Sequence, residues 1–215
     1  MLPIHVMYDS GLDELEGTAV YAALDDLQSI MPRLRIENYG SEPWCVGEFS
    51  SADWYIQHTE IIRGKNGTLQ LNADDLLDLV AREPWQFKNP HIDIVITSSD
   101  ITAFDEGQQL NFVFGIASGR VSVQSIARYR DCSSFERFLA IKTVIWHELG
   151  HLFGMAANPN RNHTEYKLGP HCTNPGCAMQ QGMSVDEWVS HAKEVFQARR
   201  IYCPECLADV SALAS

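Results

Sequence analysis

The stretch HELGHLFG, residues 147–154, constrains this chain more than any other feature. His147 and His151 are one helical turn apart, so on a helix both imidazoles reach one point beside the same face. The segment leading to them keeps a helical apolar stripe of Phe138, Ile141, Ile145, Leu149 and Leu152. Ser133 and Glu136 have the spacing of a capping box at its start. Gly154 is placed to end the helix in a left-handed conformation and turn the chain back. Any fold that accepts this sequence must bury one side of a long helix while two polar rings at its end find partners. The partner that the spacing implies is a metal ion, with Glu148 one position round to take a proton from a water on it. Zinc lowers the pKa of such a water toward neutrality, and the glutamate then passes the proton to a leaving amine.

A hydrolytic zinc site has three protein ligands and one open position. In the commonest layout a third histidine follows the glycine by three residues, where this chain carries Ala157. The following loop, 155–182, is rich in Asn, Pro and Gly and offers two histidines, His163 and His171. Glu165 or Glu187 would instead complete a two-histidine, one-glutamate site, although the glycine turn argues for a ligand from the loop. His171 has a particular merit, because it stands next to Cys172. In extended chain, neighbouring side chains point to opposite faces, so His171 can face one ion while Cys172 faces another. Cys172 and Cys177, with Cys203 and Cys206, form two close pairs, the arrangement of a closed, structural four-thiolate zinc site. Such a site anchors a small lobe that lacks a core of its own. Cys45 and Cys132 have no such spacing and are expected to be buried apolar residues.

Bulk properties narrow the class. A chain of 215 residues supports one sizeable core, or a main domain with an appendage. A formal net charge of −12 argues against a nucleic-acid binder. No apolar run approaches the length that spans a bilayer, and MLPIHVMYDSG lacks the basic start of a secretory signal. A cytoplasmic location is expected, where close cysteine pairs are metal ligands more often than disulfides.

The remaining pattern is that of an α/β layer structure. Strands are expected over 2–8, 33–39, 92–98, 111–117 and 120–129, the last two joined at Ser118-Gly119. Helices are expected over 13–31, stopped by Pro32, after an N-cap at Asn72, through the HELGH motif, and from about Ser184 to about Arg200. Segment 40–90 reads otherwise as loops with one or two helices. NFVFGIA, 111–117, is a candidate sheet edge that an extended peptide could join as an added strand. Met179 and Met183 read as core residues. The expected division is 1–154, an N-terminal α/β subdomain ending in the active-site helix, and 155–215, a C-terminal subdomain.

Taken together, His147-Glu148-x-x-His151-x-x-Gly154, His171-Cys172-x4-Cys177-Ala178-Met179 and Cys203-x-x-Cys206 resemble the archaemetzincin branch of the metzincin zinc peptidases. LNFVFGIASGR, 110–120, is similar to that family's edge-strand region. The likeness covers the second half of the chain well and the first half only in layout. It departs in the gap after Gly154, which is longer than the family usually shows. The resemblance implies a metzincin-like twisted mixed sheet with an active-site helix, plus a small zinc-stabilised C-terminal subdomain. It implies His147, His151 and His171 on a catalytic zinc, with Glu148 as general base. It further implies Cys172, Cys177, Cys203 and Cys206 on a second, structural zinc, and Met179 as the methionine beneath the catalytic metal. The expected function is hydrolysis of peptide bonds in a peptide or protein substrate. A catalytically silent, zinc-stabilised peptide-binding scaffold is the alternative.

Overall fold

Elements form in chain order where the periodicity and caps direct them. The first are β1 (Ile4–Tyr8), α1 (Glu14–Ile30), β2 (Ile36–Gly40), α2 (Ala52–His58), β3 (Ile61–Arg63) and β4 (Leu69–Asn72). Next come α3 (Ala73–Ala81), α4 (Pro84–Lys88), β5 (Ile92–Thr97), β6 (Ile101–Thr102), β7 (Phe104–Asp105) and β8 (Gln108–Gln109). The chain continues through β9 (Gly115–Ser118), β10 (Val121–Ser125), a 3-10 turn (Ala127–Tyr129) and α5 (Ser134–Leu152). It closes with β11 (Thr164–Tyr166), β12 (Pro170–Cys172), α6 (Val185–Ala198) and α7 (Pro204–Leu213). This computed structural model describes residues 2–42, 51–65, 67–157, 164–166 and 169–213. Cys45 and His163 lie outside the described residues.

The chain divides into two compact units, one of residues 1–13 and 31–128, the other of 14–30 and 129–215. The division expected at residue 154 falls inside the second unit, in which the helix bearing HELGH and the segment after it occur together.

The first unit is built on a five-stranded mixed sheet in the order β2-β1-β5-β10-β9. The first four strands are parallel and β9 runs antiparallel at the edge. β5 is a run of β-branched residues broken by Asp93 and buried at every position, as a strand covered on both faces must be. Met7, Val95, Val121 and Val123 form one core with Tyr55 of α2 and Leu76 and Val80 of α3. Asn72 caps α3 as expected, accepting from the backbone N–H groups of Asp74 and Asp75. The 111–117 strand is shorter than its composition suggests. Only Gly115–Ser118 pairs with β10, while Val113 makes an isolated bridge to Ile101. Gly119 makes the hairpin turn in the left-handed region, at φ 61°. The 40–90 segment also holds strands that the sequence did not suggest: β3 and β4 pair with each other, and β4 pairs with β6. They are too short to show a period of two.

In the second unit, α1 packs along α5, and α5 along α6. The capping box forms: Ser133 Oγ accepts from the Glu136 N–H at 3.4 Å, and the Glu136 carboxylate accepts from the Ser133 N–H at 3.2 Å. Buried Glu16 is matched by Arg130, whose Nε and Nη2 each donate over 2.8 Å, and by Arg137. The Trp146 indole donates to the Ala23 carbonyl at 2.9 Å, the Trp188 indole to Ala140 at 3.3 Å and the Tyr202 hydroxyl to Trp146 at 2.6 Å. Polar edges of large side chains thus satisfy helix carbonyls while their rings fill the core.

Two expectations of burial are corrected here. Met183 is 43% exposed, because the short link before α6 spends its backbone on the cap and turns the side chain outward; its N–H donates to Glu187. Cys132 is only half-buried, since it lies in the turn where its N–H bonds the Tyr129 carbonyl just before the α5 cap.

Candidate metal centre

α5 carries His147, Glu148 and His151 on its last turns, and the chain then turns back at Gly154, whose φ is 68°. The returning segment forms the β11–β12 hairpin, in which Glu165 pairs with His171. The hairpin delivers His171 to the helix. The ring centroids of His147, His151 and His171 form a near-equilateral triangle with sides of 4.7, 5.1 and 4.9 Å. One nitrogen from each lies within 4.8 Å of the others.

Two of the rings are held through the far nitrogen. His147 Nδ1 donates to the Ala178 carbonyl at 2.8 Å, and His171 Nδ1 to the Gly169 carbonyl at 3.0 Å. This fixes the tautomer that leaves the lone pair on Nε2. His147 Nε2 and His151 Nε2 are 3.1 Å apart, close to the roughly 3.3–3.4 Å expected between two imidazole nitrogens on a tetrahedral zinc. Burial, reinforced by His171, holds His151 down at about 3, and burial also pushes His147 well below its usual range. Both rings are neutral at pH 7, the form that ligates metal. Glu148, next to His147 in the chain, is buried, and burial lifts its carboxyl to about 8. The alternatives Glu165 and Glu187 are exposed and stand outside this cluster; Glu187 is occupied at the cap of α6.

Cys172 follows His171 on β12 and faces the other way, as alternation along a strand requires. It joins Cys177, Cys203 and Cys206, all four sulfurs lying within 4.8 Å of one another. Cys172 and Cys203 sulfurs are 3.7 Å apart and those of Cys177 and Cys206 3.6 Å. A disulfide needs about 2.05 Å, whereas a tetrahedral zinc–thiolate site sets sulfurs about 3.8 Å apart. None of the four is in a disulfide. Donors point at them: the Cys203 N–H at Cys177, the Asn174 N–H at Cys172 and the Asn174 amide at Cys203. Such donors stabilise thiolate charge. Both constellations therefore fit zinc by their own donor sets and spacings.

Backbone bonds lock the two clusters into one framework. The Cys172 N–H donates to the Met179 carbonyl, and the Ala178 N–H to the Ile201 carbonyl, each at 2.8 Å. Met179 is fully buried against the helix. A Cβ on Gly150 would lie 2.0 Å from its sulfur, so glycine alone lets that methionine approach. Gly150 went unread in the sequence; a glycine in the middle of a strong helix, where it weakens the helix, was the available signal. Trp188 and Tyr129 were also missed. The Trp188 ring meets His147 edge-on at 5.1 Å, and the phenol of buried Tyr129 is raised first by burial and then by the Glu148 charge.

The fold and this site define a mixed α/β protein whose helix presents three converging imidazoles beside a four-cysteine cluster. No protein-family model matches the chain. It is 34% identical to the archaemetzincin of Thermococcus kodakarensis over 119 residues, which make up 52% of this chain and 50% of that protein. The matched part thus spans about half of that relative's length. The fold resembles the crystal structure of archaemetzincin from Methanopyrus kandleri, with a TM-score of 0.61, 21% identity, and 98% of this chain and 94% of that one covered. It also resembles the archaemetzincin of Archaeoglobus fulgidus complexed with malonate, with a TM-score of 0.56, 19% identity, and 97% and 99% covered. The fold is that of the archaemetzincin structures, and about half of the chain is similar in sequence to an archaemetzincin.

Proposed function

We propose that this chain is a zinc-dependent peptidase in which His147, His151 and His171 hold the catalytic ion and Glu148 is the general base. The observation that carries the reading is the pinning of His147 and His171 through Nδ1, which aims their Nε2 lone pairs at one point. Bound there, zinc would supply Lewis acidity toward a peptide carbonyl and water. Glu148, which burial alone keeps protonated, would take its carboxylate form beside such a cation. Glu148 then accepts the proton of the attacking water and returns it to the leaving amine. Met179 forms an apolar floor that excludes water from behind the imidazoles. Cys172, Cys177, Cys203 and Cys206 hold a second, structural zinc that keeps β12, and hence His171, in place. Residues 155–215 then form a lobe that owes its order to that ion. The substrate is a peptide or protein, and the enzyme works in the cytoplasm. Among the described residues no helix is long and apolar enough to cross a membrane.

Zinc counted by mass spectrometry on wild type and His171→Ala tests the ligand set. A loss of one ion in His171→Ala supports it, whereas an unchanged count removes His171 from the catalytic ion and returns attention to His163.

A further inference from the structure

The first unit holds a buried polar cluster that the peptidase reading does not use. Parallel register sets Glu37, His5 and Asp93 opposite one another on β2, β1 and β5. His91 precedes β5 by one residue, and its ring stacks on His5 with centroids 4.0 Å apart. Ligand atoms of His5, His91 and Asp93 all lie within 4.8 Å of one another, and His91 and Asp93 are completely buried. His91 Nδ1 donates to the Asn89 carbonyl at 2.5 Å, which leaves Nε2 to face Asp93 Oδ2 at 3.2 Å.

The carboxylates here are poorly matched. Asp93 Oδ2 accepts from the Gln86 amide, but its Oδ1 has no protein partner. Glu83, at the start of α4, is only 5% exposed, and neither of its oxygens has a hydrogen-bond partner. Burial, then the charge of Asp93, pushes its carboxyl up to about 8. Two other buried carboxylates, Asp9 and Glu16, are provided for. Asp9 accepts from the Thr97 and Ser98 hydroxyls and the Ser98 N–H, and Glu16 takes two arginines. Glu37 is committed to Arg35 and Tyr39. A buried acid without donors is costly unless a cation or a proton compensates it.

We propose that His5, His91 and Asp93 bind a divalent transition-metal ion, with Glu83 as the carboxylate available to complete the set. Two imidazoles and two carboxylates are the donors of zinc and its neighbours, rather than the all-oxygen set of magnesium or calcium. Four protein donors in a buried place make a closed site, so the ion is structural: it clamps β1 to β5 and α4 and neutralises both acids. The proposal is independent of the peptidase reading, because no residue is shared with that site.

The test saturates the full chain with zinc chloride, removes free metal and counts zinc in wild type, His91→Ala, Asp93→Asn, His171→Ala and the double variant His91→Ala/His171→Ala. The proposal expects His91→Ala and Asp93→Asn each to lose one equivalent, and the double variant to lose one more than His91→Ala alone. Wild-type counts in both His91→Ala and Asp93→Asn overturn it, and a His91 imidazolium paired with Asp93 then accounts for the cluster. If either substitution unfolds the sheet, wild-type crystals grown with zinc decide through anomalous scattering at the zinc edge. A peak among His5, His91 and Asp93 supports the proposal, and its absence overturns it. Density among His147, His151 and His171 reports separately on the peptidase reading.

Discussion

The two histidine clusters of this molecule differ in how their lone pairs are aimed. Around His147, His151 and His171, backbone carbonyls occupy the outer nitrogens of two rings, the inner nitrogens converge on one point, and the Trp188 ring stands edge-on to His147. Around His5 and His91 the anchoring is partial, and carboxylates make up the rest of the shell. The first arrangement suits an ion that must keep a position open for chemistry. The second suits one that is enclosed and neutralises charge. Counting histidines and acids near a point does not separate the two; the hydrogen bonds on the far side of each ring do.

The comparison is best broken at Glu148, the proposed base, which has no counterpart in the second cluster. Glu148→Gln is expected to lower peptide hydrolysis by roughly 10²–10⁴-fold with zinc content unchanged. Hydrolysis at the wild-type rate would sink the proposed mechanism. Cys203→Ser sharpens the role of the framework behind that cluster. It is expected to release one zinc and lower the thermal midpoint by about 10 °C, read by scanning calorimetry with metal analysis. A midpoint within a degree of wild type would leave the thiolate cluster without a structural role. Gly150→Ala tests the methionine floor: its Cβ meets the Met179 sulfur in a fully buried place. Overpacking of this kind costs about 1–3 kcal/mol, so a urea midpoint equal to that of wild type would mean that Met179 moves aside freely.

The smallest effect is expected at the surface, away from both clusters. The hydrogen bond from Lys193, at 2.6 Å, joins the Ser133 bonds in holding the Glu136 carboxyl at about 2. A depressed folded pKa contributes stability that is fully present above the ordinary range near 4.5 and is lost as pH falls from there toward 2. Glu136→Gln should therefore show a slightly shallower loss of urea stability between pH 5 and pH 2.5 than wild type. Parallel curves would remove Glu136 from the acid response.

Legibility in the sequence followed distance along the chain. His147, Glu148, His151 and Gly154 lie within one helix and its exit, so periodicity and capping were enough to place them. His171 and Cys172 were readable because one strand residue separates two faces, and the paired cysteine spacings are local. Trp188 depends on what packs across from it, and no local pattern reports that, while Gly150 shows in the sequence only as a glycine that weakens a helix. The His5 cluster is assembled from three separate places on the chain by parallel register and α4, so its members look like isolated polar residues in sequence. Short strands such as β3 and β4 pair through tertiary context rather than through any period of their own.

The single peptide unit joining His171 to Cys172 has a consequence for biosynthesis. With the assignments proposed above, β12 is fixed only when Cys203 and Cys206 close the thiolate cluster, and these come about thirty residues later in the chain. A ribosome-bound chain that already displays the whole HELGH helix would still lack the strand that presents the third imidazole. Peptide-cleaving competence would therefore arise after the Cys203–Cys206 pair has emerged, which shields the translation machinery and the nascent chain itself from a half-made hydrolase.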